Sequence, residues 1–268
     1  MTIFATTRAA MLAGSATLVL AMSAATSGQA ATVAALQDGN TIARIDTDKR
    51  LVTGSVQLDG GVTLVGFDVR PSDGRLYGVT AGGAIVIVDT VTGKWVKKSQ
   101  IDQQIPTGFS CAVKFDPVSG RLRIIASNGL SYRINVDDGK AVADGEVKYG
   151  ENDHHTGAQP RVMAAAYTNS FAGTRETALY DIDASSGTLV KQAMPDDGNL
   201  STVGSLGVKI EGTAAFDIVS DGKGGNAALL VTGGRLYEVD LTTGAAKSVG
   251  PISGLSGQTF DIAVLPAK

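Results

Sequence analysis

Four aspartates follow a phenylalanine at long, regular intervals: Asp68, Asp116, Asp217 and Asp261. Carboxylates that recur once per structural repeat can converge on a common axis. Converging carboxylates suit a hard cation such as Ca²⁺, which takes oxygen ligands. The same positions can instead accept backbone N–H groups from a neighbouring repeat and fix its spacing. A residue that recurs with a repeat is expected first to serve the repeat, so Ca²⁺ at these four is the alternative. A second cluster, Asp153-His154-His155 with Glu151 close by, joins imidazole to carboxylate, a donor set for a transition metal. Adjacent histidines usually point in different directions, so a solvated loop is expected here and a metal is the weaker reading. No other cofactor is expected.

Other chemistries find few residues. Glycoside hydrolysis needs two carboxyl groups flanking the scissile bond. The acids are mostly Asp, many beside turn glycines, and only five are Glu: Glu146, Glu151, Glu176, Glu211 and Glu238. Asp in turns has a local backbone role, which leaves few acids for catalysis. A hydrolase using channel carboxylates or a channel metal is therefore the alternative function. Phosphate-binding, dinucleotide-binding, serine-elbow and zinc-protease motifs are absent from the sequence. The single cysteine, Cys111, lies between Phe109 and Val113 and reads as a buried thiol.

The elements that position these residues form a repeat. Its clearest copy is Leu64-Val65-Gly66-Phe67-Asp68-Val69-Arg70-Pro71, a Ser-Asp-Gly turn, Arg75 to Val79, Gly82-Gly83, Ala84 to Asp89, Thr92-Gly93 and Lys94 to Lys98. Four short β-rich runs joined by glycine turns make a four-stranded antiparallel meander. The first-strand marker recurs at Phe115, Phe216 and Phe260, and Ala165-Ala166-Tyr167-Thr168 fills the gap, giving steps of 48, 52, 49 and 44 residues. A second marker, a hydrophobic-Asp/Asn pair before a glycine turn, occurs at Val88-Asp89, Ile134-Asn135, Ile182-Asp183 and Val239-Asp240. The Ile182 copy sits one strand early, since Ala178-Leu179-Tyr180 resembles a second strand.

The chain ends complete the count. The last Phe-Asp strand, Thr259 to Leu265, leaves no room for three more strands, and Val33–Leu36, Thr41–Ile45 and Leu51–Gln57 supply them. A blade shared between the two ends closes a ring and removes exposed sheet edges. The expectation is an all-β, five-bladed β-propeller of four-stranded antiparallel blades.

Residues 1–30 read differently. A lone Arg8, an apolar run from Ala9 to Met22 and Gly28-Gln29-Ala30 form the pattern of a secretory signal peptide. The run is too short to span a bilayer. Residues 31–268 then form one domain, exported to the periplasm or outside the cell. Without Arg8 the charge is about −4, so nucleic acid and anionic membrane surfaces are not expected partners.

The runs Leu64–Pro71, Lys114–Ile125, Ala164–Gly173 and Leu179–Asp183 resemble DUF4394, a family of bacterial exported proteins of unknown function. The resemblance implies export and a propeller-like repeat, and it implies no activity or site residues. Glu151 to Gly157 departs from the Asn- and Gly-rich loop expected of the family at that place. The function expected is a non-enzymatic binding or interaction scaffold, monomeric, holding a protein, polymer or small ligand on one face. That face would be built from inter-blade loops, including Gly150 to Pro160 and Asp196 to Gly212.

Overall fold

The computed structural model describes Met1, residues 31–192 and residues 194–266. The expected leader lies outside the described residues apart from Met1. Strands β1 (Thr32–Gln37), β2 (Thr41–Asp46) and β3 (Leu51–Gln57) come first. The next blade holds β4 (Leu64–Val69), β5 (Leu76–Thr80), β6 (Ala84–Val88) and β7 (Trp95–Gln100). A further blade holds β8 (Cys111–Phe115), β9 (Leu122–Ala126), β10 (Ser131–Ile134) and β11 (Ala141–Ala143). Then follow β12 (Lys148–Tyr149), β13 (Val162–Tyr167), β14 (Leu179–Asp183), β15 (Thr188–Gln192) and β16 (Asn199–Ser205). The chain ends with β17 (Ala215–Ser220), β18 (Asn226–Thr232), β19 (Arg235–Val239), β20 (Ala246–Pro251) and β21 (Thr259–Val264).

These strands form five sheets in a ring, a five-bladed β-propeller. Innermost β4, β8, β13, β17 and β21 each begin a four-stranded antiparallel order. The split blade is β21-β1-β2-β3, with Leu36 opposite Asp261 and Val33 opposite Val264. One blade departs from four strands: β12, leaving the preceding blade, adds in parallel to the outer edge of β16. Among the described residues no helix is long and apolar enough to cross a membrane.

The burial pattern follows from strand geometry. Successive side chains leave a strand on opposite faces, and an inner strand is covered on both faces by neighbouring blades. Such strands read as continuous apolar runs, as in β13 (Val-Met-Ala-Ala-Ala-Tyr). Outer strands are solvated, as in β7. On β1, Val33 and Ala35 pack toward the β17–β20 blade, while Ala34 and Leu36 pack toward the β4–β7 blade. Among the described residues, five apolar clusters lie one at each blade junction.

The second sequence marker has a physical reason. Asp89 accepts the N–H of Val91 at 2.8 Å and of Thr92 at 3.0 Å, closing the turn after β6. Gly93 ends that turn at φ +74°, where a Cβ would lie 2.1 Å from the carbonyl oxygen of Gln57 in the preceding blade. Glycine is thus demanded both by the backbone angle and by the approach of the preceding blade.

Candidate functional site

Charged side chains line the channel where the innermost strands meet. Asp68 lies on β4, Asp217 on β17, Asp261 on β21 and Lys114 on β8, and all four are buried. Each carboxylate reaches the next blade. Asp217 Oδ2 accepts the N–H of Val264 at 2.7 Å, Asp261 Oδ2 that of Phe67 at 3.1 Å, and Asp68 Oδ2 that of Phe115 at 2.7 Å. Three successive junctions, from β17 through β21 and β4 to β8, are latched in this way. Lys114 then crosses between β8 and β21, donating from Nζ to Ile262 O at 2.6 Å and to Asp261 Oδ1 at 2.9 Å. The remaining junctions carry other polar links. Arg123 Nε donates to the Tyr167 hydroxyl at 2.7 Å, and Asn226 Nδ2 donates to Asn169 Oδ1 at 2.9 Å.

The structure brings together Asp68, Asp217 and Asp261 and places Asp116 elsewhere. In the turn after β8, Asp116 accepts the N–H of Val118 at 2.8 Å and of Ser119 at 3.2 Å. The cause is a two-residue offset. The N–H of Asp116 donates to Arg121 O as that of Arg70 donates to Arg75 O. Lys114 pairs with Arg123 as Asp68 pairs with Tyr77. Lys114, not Asp116, therefore stands at the channel position of its blade. Burial raises the Asp68 carboxyl well above the ordinary range, opposed by the Lys114 charge. Burial also pushes Asp261 up to about 6, with Lys114 again pulling it down. Lys114 is raised above its ordinary value, because the carboxylates around it outweigh the desolvation of its ammonium.

Beyond the channel, where the innermost strands end, the ring opens into a funnel of about 700 Å³. Its wall is largely apolar, with Val69, Ile218, Val264, Leu265 and Pro266, and its rim carries Phe171 and Ala172. Asp68 and Asp217 are its acidic groups and Arg44 its cation. Arg44 is fixed by donating from Nη1 to Thr90 O at 2.8 Å. The loop 150–160 lies where β13 begins, away from the funnel. The stretch 196–212 contains β16 (Asn199–Ser205).

The structure brings Asp153, His154 and His155 together. One ligating atom from each lies within 4.8 Å of the others. Cys111 is buried and free, and burial pushes its thiol up to about 11. A thiol so held carries little thiolate at neutral pH and is a poor nucleophile.

A further ion-pair network is buried at Arg123 and Asp144 and reaches the exposed Asp196. Arg123, fully inside the β8–β11 blade, donates to Asp144, to Ser131 Oγ at 3.2 Å and to Asp196 Oδ1 at 2.9 Å. Arg133 pairs with the same two carboxylates, each at 2.7 Å. Nearby, Asp181 on β14 accepts from Gln192 Nε2 at 2.8 Å, while Asp181 Oδ1 and Gln192 Oε1 are buried without a hydrogen-bond partner. Burial pushes Asp181 up to about 7, against the Gln192 bond and the Arg123 charge and with added repulsion from Asp183. A carboxyl whose folded value is raised gives stability that is full below its unfolded value and is lost as pH rises through the folded one. Asp181→Asn removes that loss, so its Tm is expected to exceed the wild type by a few degrees at pH 8 and not at pH 4. A melting difference that stays constant between pH 4 and pH 8 would refute this assignment.

The fold and the closed channel define a five-bladed β-propeller with inter-blade polar latches. The chain belongs to the family described as a domain of unknown function, DUF4394, which matches residues 40–263. No curated protein matches it. Among solved structures it is similar to a protein of unknown function from Bacteroides thetaiotaomicron, at 16% identity and a TM-score of 0.55, covering 88% of this chain and 62% of that one. It is also similar to a chain of a nidogen/laminin complex, at 13% identity and a TM-score of 0.52, covering 88% of this chain and 98% of that one. An auxiliary nutrient binding protein from Bacteroides ovatus matches at 15% identity and a TM-score of 0.46, covering 82% of this chain and 58% of that one. These likenesses concern the fold alone.

Proposed function

We propose that this protein is an exported, non-enzymatic binding scaffold whose ligand site is the funnel. The observation that carries the reading is the funnel's chemistry: a concave, mostly apolar wall of about 700 Å³ with a few fixed polar groups. Small-molecule sites have that size and that mixture. Asp68 and Asp217 favour a ligand with a cationic or hydrogen-bond-donating head on an apolar body. Binding is favoured over hydrolysis because both funnel carboxylates already accept backbone N–H groups across blade junctions. Such groups are held for structure and are poorly placed to shuttle protons. Export rests on the pattern of residues 1–30, and mass spectrometry of the native protein should find Ala31 as the first residue.

The test uses thermal shift with aryl and alkyl amines against carboxylates of equal size. Amines at a hundred times Kd should stabilise the protein by about 2.7 kcal/mol, while the carboxylates should not. Ala172→Trp at the funnel rim should remove the shift and leave the unliganded Tm unchanged. Equal shifts with amines and carboxylates, or amine binding that survives Ala172→Trp, would defeat the proposal.

A further inference from the structure

The Asp153-His154-His155 cluster gathers three metal-ligating side chains in one loop. His155 Nδ1 lies 3.6 Å and His154 Nδ1 3.9 Å from the same carboxylate oxygen, Asp153 Oδ1. Both separations are longer than a normal hydrogen bond. Both are close to the edge of a tetrahedral coordination shell, about 3.4 Å when metal–nitrogen and metal–oxygen bonds are about 2.1 Å. The ligating atoms of all three lie within 4.8 Å of one another, so sharing one ion requires the exposed His154 ring to turn inward and the His155 Nδ1 contact with Thr202 Oγ1 to give way.

Two of the three donors are already anchored. Asp153 is nearly buried, with its side chain 7% exposed. Its Oδ2 accepts the N–H of Thr202 at 2.6 Å, and its Oδ1 accepts the N–H of His155 at 2.8 Å and the Thr202 hydroxyl at 3.0 Å. These bonds tie the loop to β16. The His155 ring lies against Tyr149 with ring centres 5.0 Å apart, and its Nδ1 is 3.1 Å from Thr202 Oγ1. His154 is the exposed member, its ring 4.1 Å from that of His155. Outer hydrogen bonds to a ligating carboxylate orient it and raise metal affinity. Turns within the loop, such as Thr156 N–H to Asp153 O at 3.0 Å, let consecutive side chains converge where an extended chain would part them.

We propose that Asp153, His154 and His155 form a binding site for a divalent late transition metal, Zn²⁺ or Cu²⁺, with its outer coordination positions open to solvent. Two imidazoles and one carboxylate suit such ions and disfavour Ca²⁺ and Mg²⁺, which take oxygen. The site is separate from the funnel and its loading does not depend on the funnel having a ligand. A bound ion would clamp the loop 150–160 onto β16 and present a Lewis-acidic centre beside the start of β13.

The experiment is titration calorimetry of the untagged mature protein with ZnCl₂ at pH 7.5, paired with metal analysis after dialysis. The expected result is one equivalent bound, and His154→Ala should weaken it at least tenfold with the metal-free Tm unchanged. Because His154 is exposed, its removal leaves the fold intact and reads the site alone. Asp153→Asn is the second variant and should also lose binding. Absence of Zn²⁺ binding by the wild type, or undiminished binding by His154→Ala, would overturn the proposal. Unchanged amine binding in His154→Ala would show that the funnel reading stands or falls independently.

Discussion

A chain lacking residues 31–57 is expected to lose cooperative folding altogether. Those residues form β1, β2 and β3, three of the four strands of the split blade. They bury Val33, Leu36, Ile42 and Ile45 at the junctions with both neighbours. At about 1.5–3 kcal/mol for each fully buried aliphatic side chain, four of them represent roughly 6–12 kcal/mol. That already approaches the whole stability of a typical domain, about 5–15 kcal/mol. The deletion also strips β21 of its partner and opens the ring at two junctions. A circular permutant separates this cause from mere shortening. Leu265 N–H donates to Thr32 O at 2.8 Å, so the two ends of the described domain lie side by side. A short flexible linker from residue 266 to residue 31, with new termini between β3 and β4, should keep the fold. Circular dichroism melting checks both chains. A deletion mutant that melts cooperatively at the wild-type temperature would disprove the shared blade.

Much of this architecture was legible because the repeat has a local cause at each marker. Phe67-Asp68, Phe216-Asp217 and Phe260-Asp261 all fall on innermost strands, and the glycine turns fall where blades meet. Phe115-Asp116 carries the same letters in a different register. The cross-strand pairing of Lys114 with Arg123 and the bond from Asp116 N–H to Arg121 O expose the two-residue shift. The Ile182-Asp183 pair is on β14, a second strand, and thus does sit one strand early. The parallel addition of β12 to the neighbouring blade had no sequence signal, because two residues carry no period.

The site residues divided along another line. Lys114, Arg123 and Asp181 were not singled out, yet each is a charge inside a strand whose neighbours are buried on both faces. A charged residue that interrupts a doubly covered apolar run must find a partner, since an unpaired buried charge is prohibitively costly. That is the signal that could have found them. The histidine pair was read as divergent because adjacent residues usually are, and the turns of the loop 150–160 bring the two rings to 4.1 Å.

Replacing Lys114 by Met tests the channel directly, and a loss of about 3–5 kcal/mol is expected, the usual cost of removing one partner from a buried ion pair. The loss arises less from the missing bonds to Asp261 and Ile262 than from the carboxylates left behind. Asp68, Asp217 and Asp261 stay buried without the ammonium that lay among them. At roughly 2–4 °C per kcal/mol for a chain of this size, the drop in Tm is easily measured. Its pH dependence identifies the cause. Lys114 holds Asp261 down against burial, which otherwise pushes it up from a value already about 6. Without the ammonium the folded-state carboxyls rise further, so the variant keeps its stability at low pH and loses it as pH rises through those raised values. The gap between wild type and variant should therefore widen from pH 5 to pH 8. Adding Asp261→Asn to Lys114→Met should recover part of the loss, because the buried pair is then removed as a pair. Added Ca²⁺ should leave the Tm of the metal-free wild type unchanged, since Lys114 already places a positive charge among the carboxylates. A Lys114→Met protein that melts with the wild type at pH 8 would show that the channel charges are not coupled as their geometry requires.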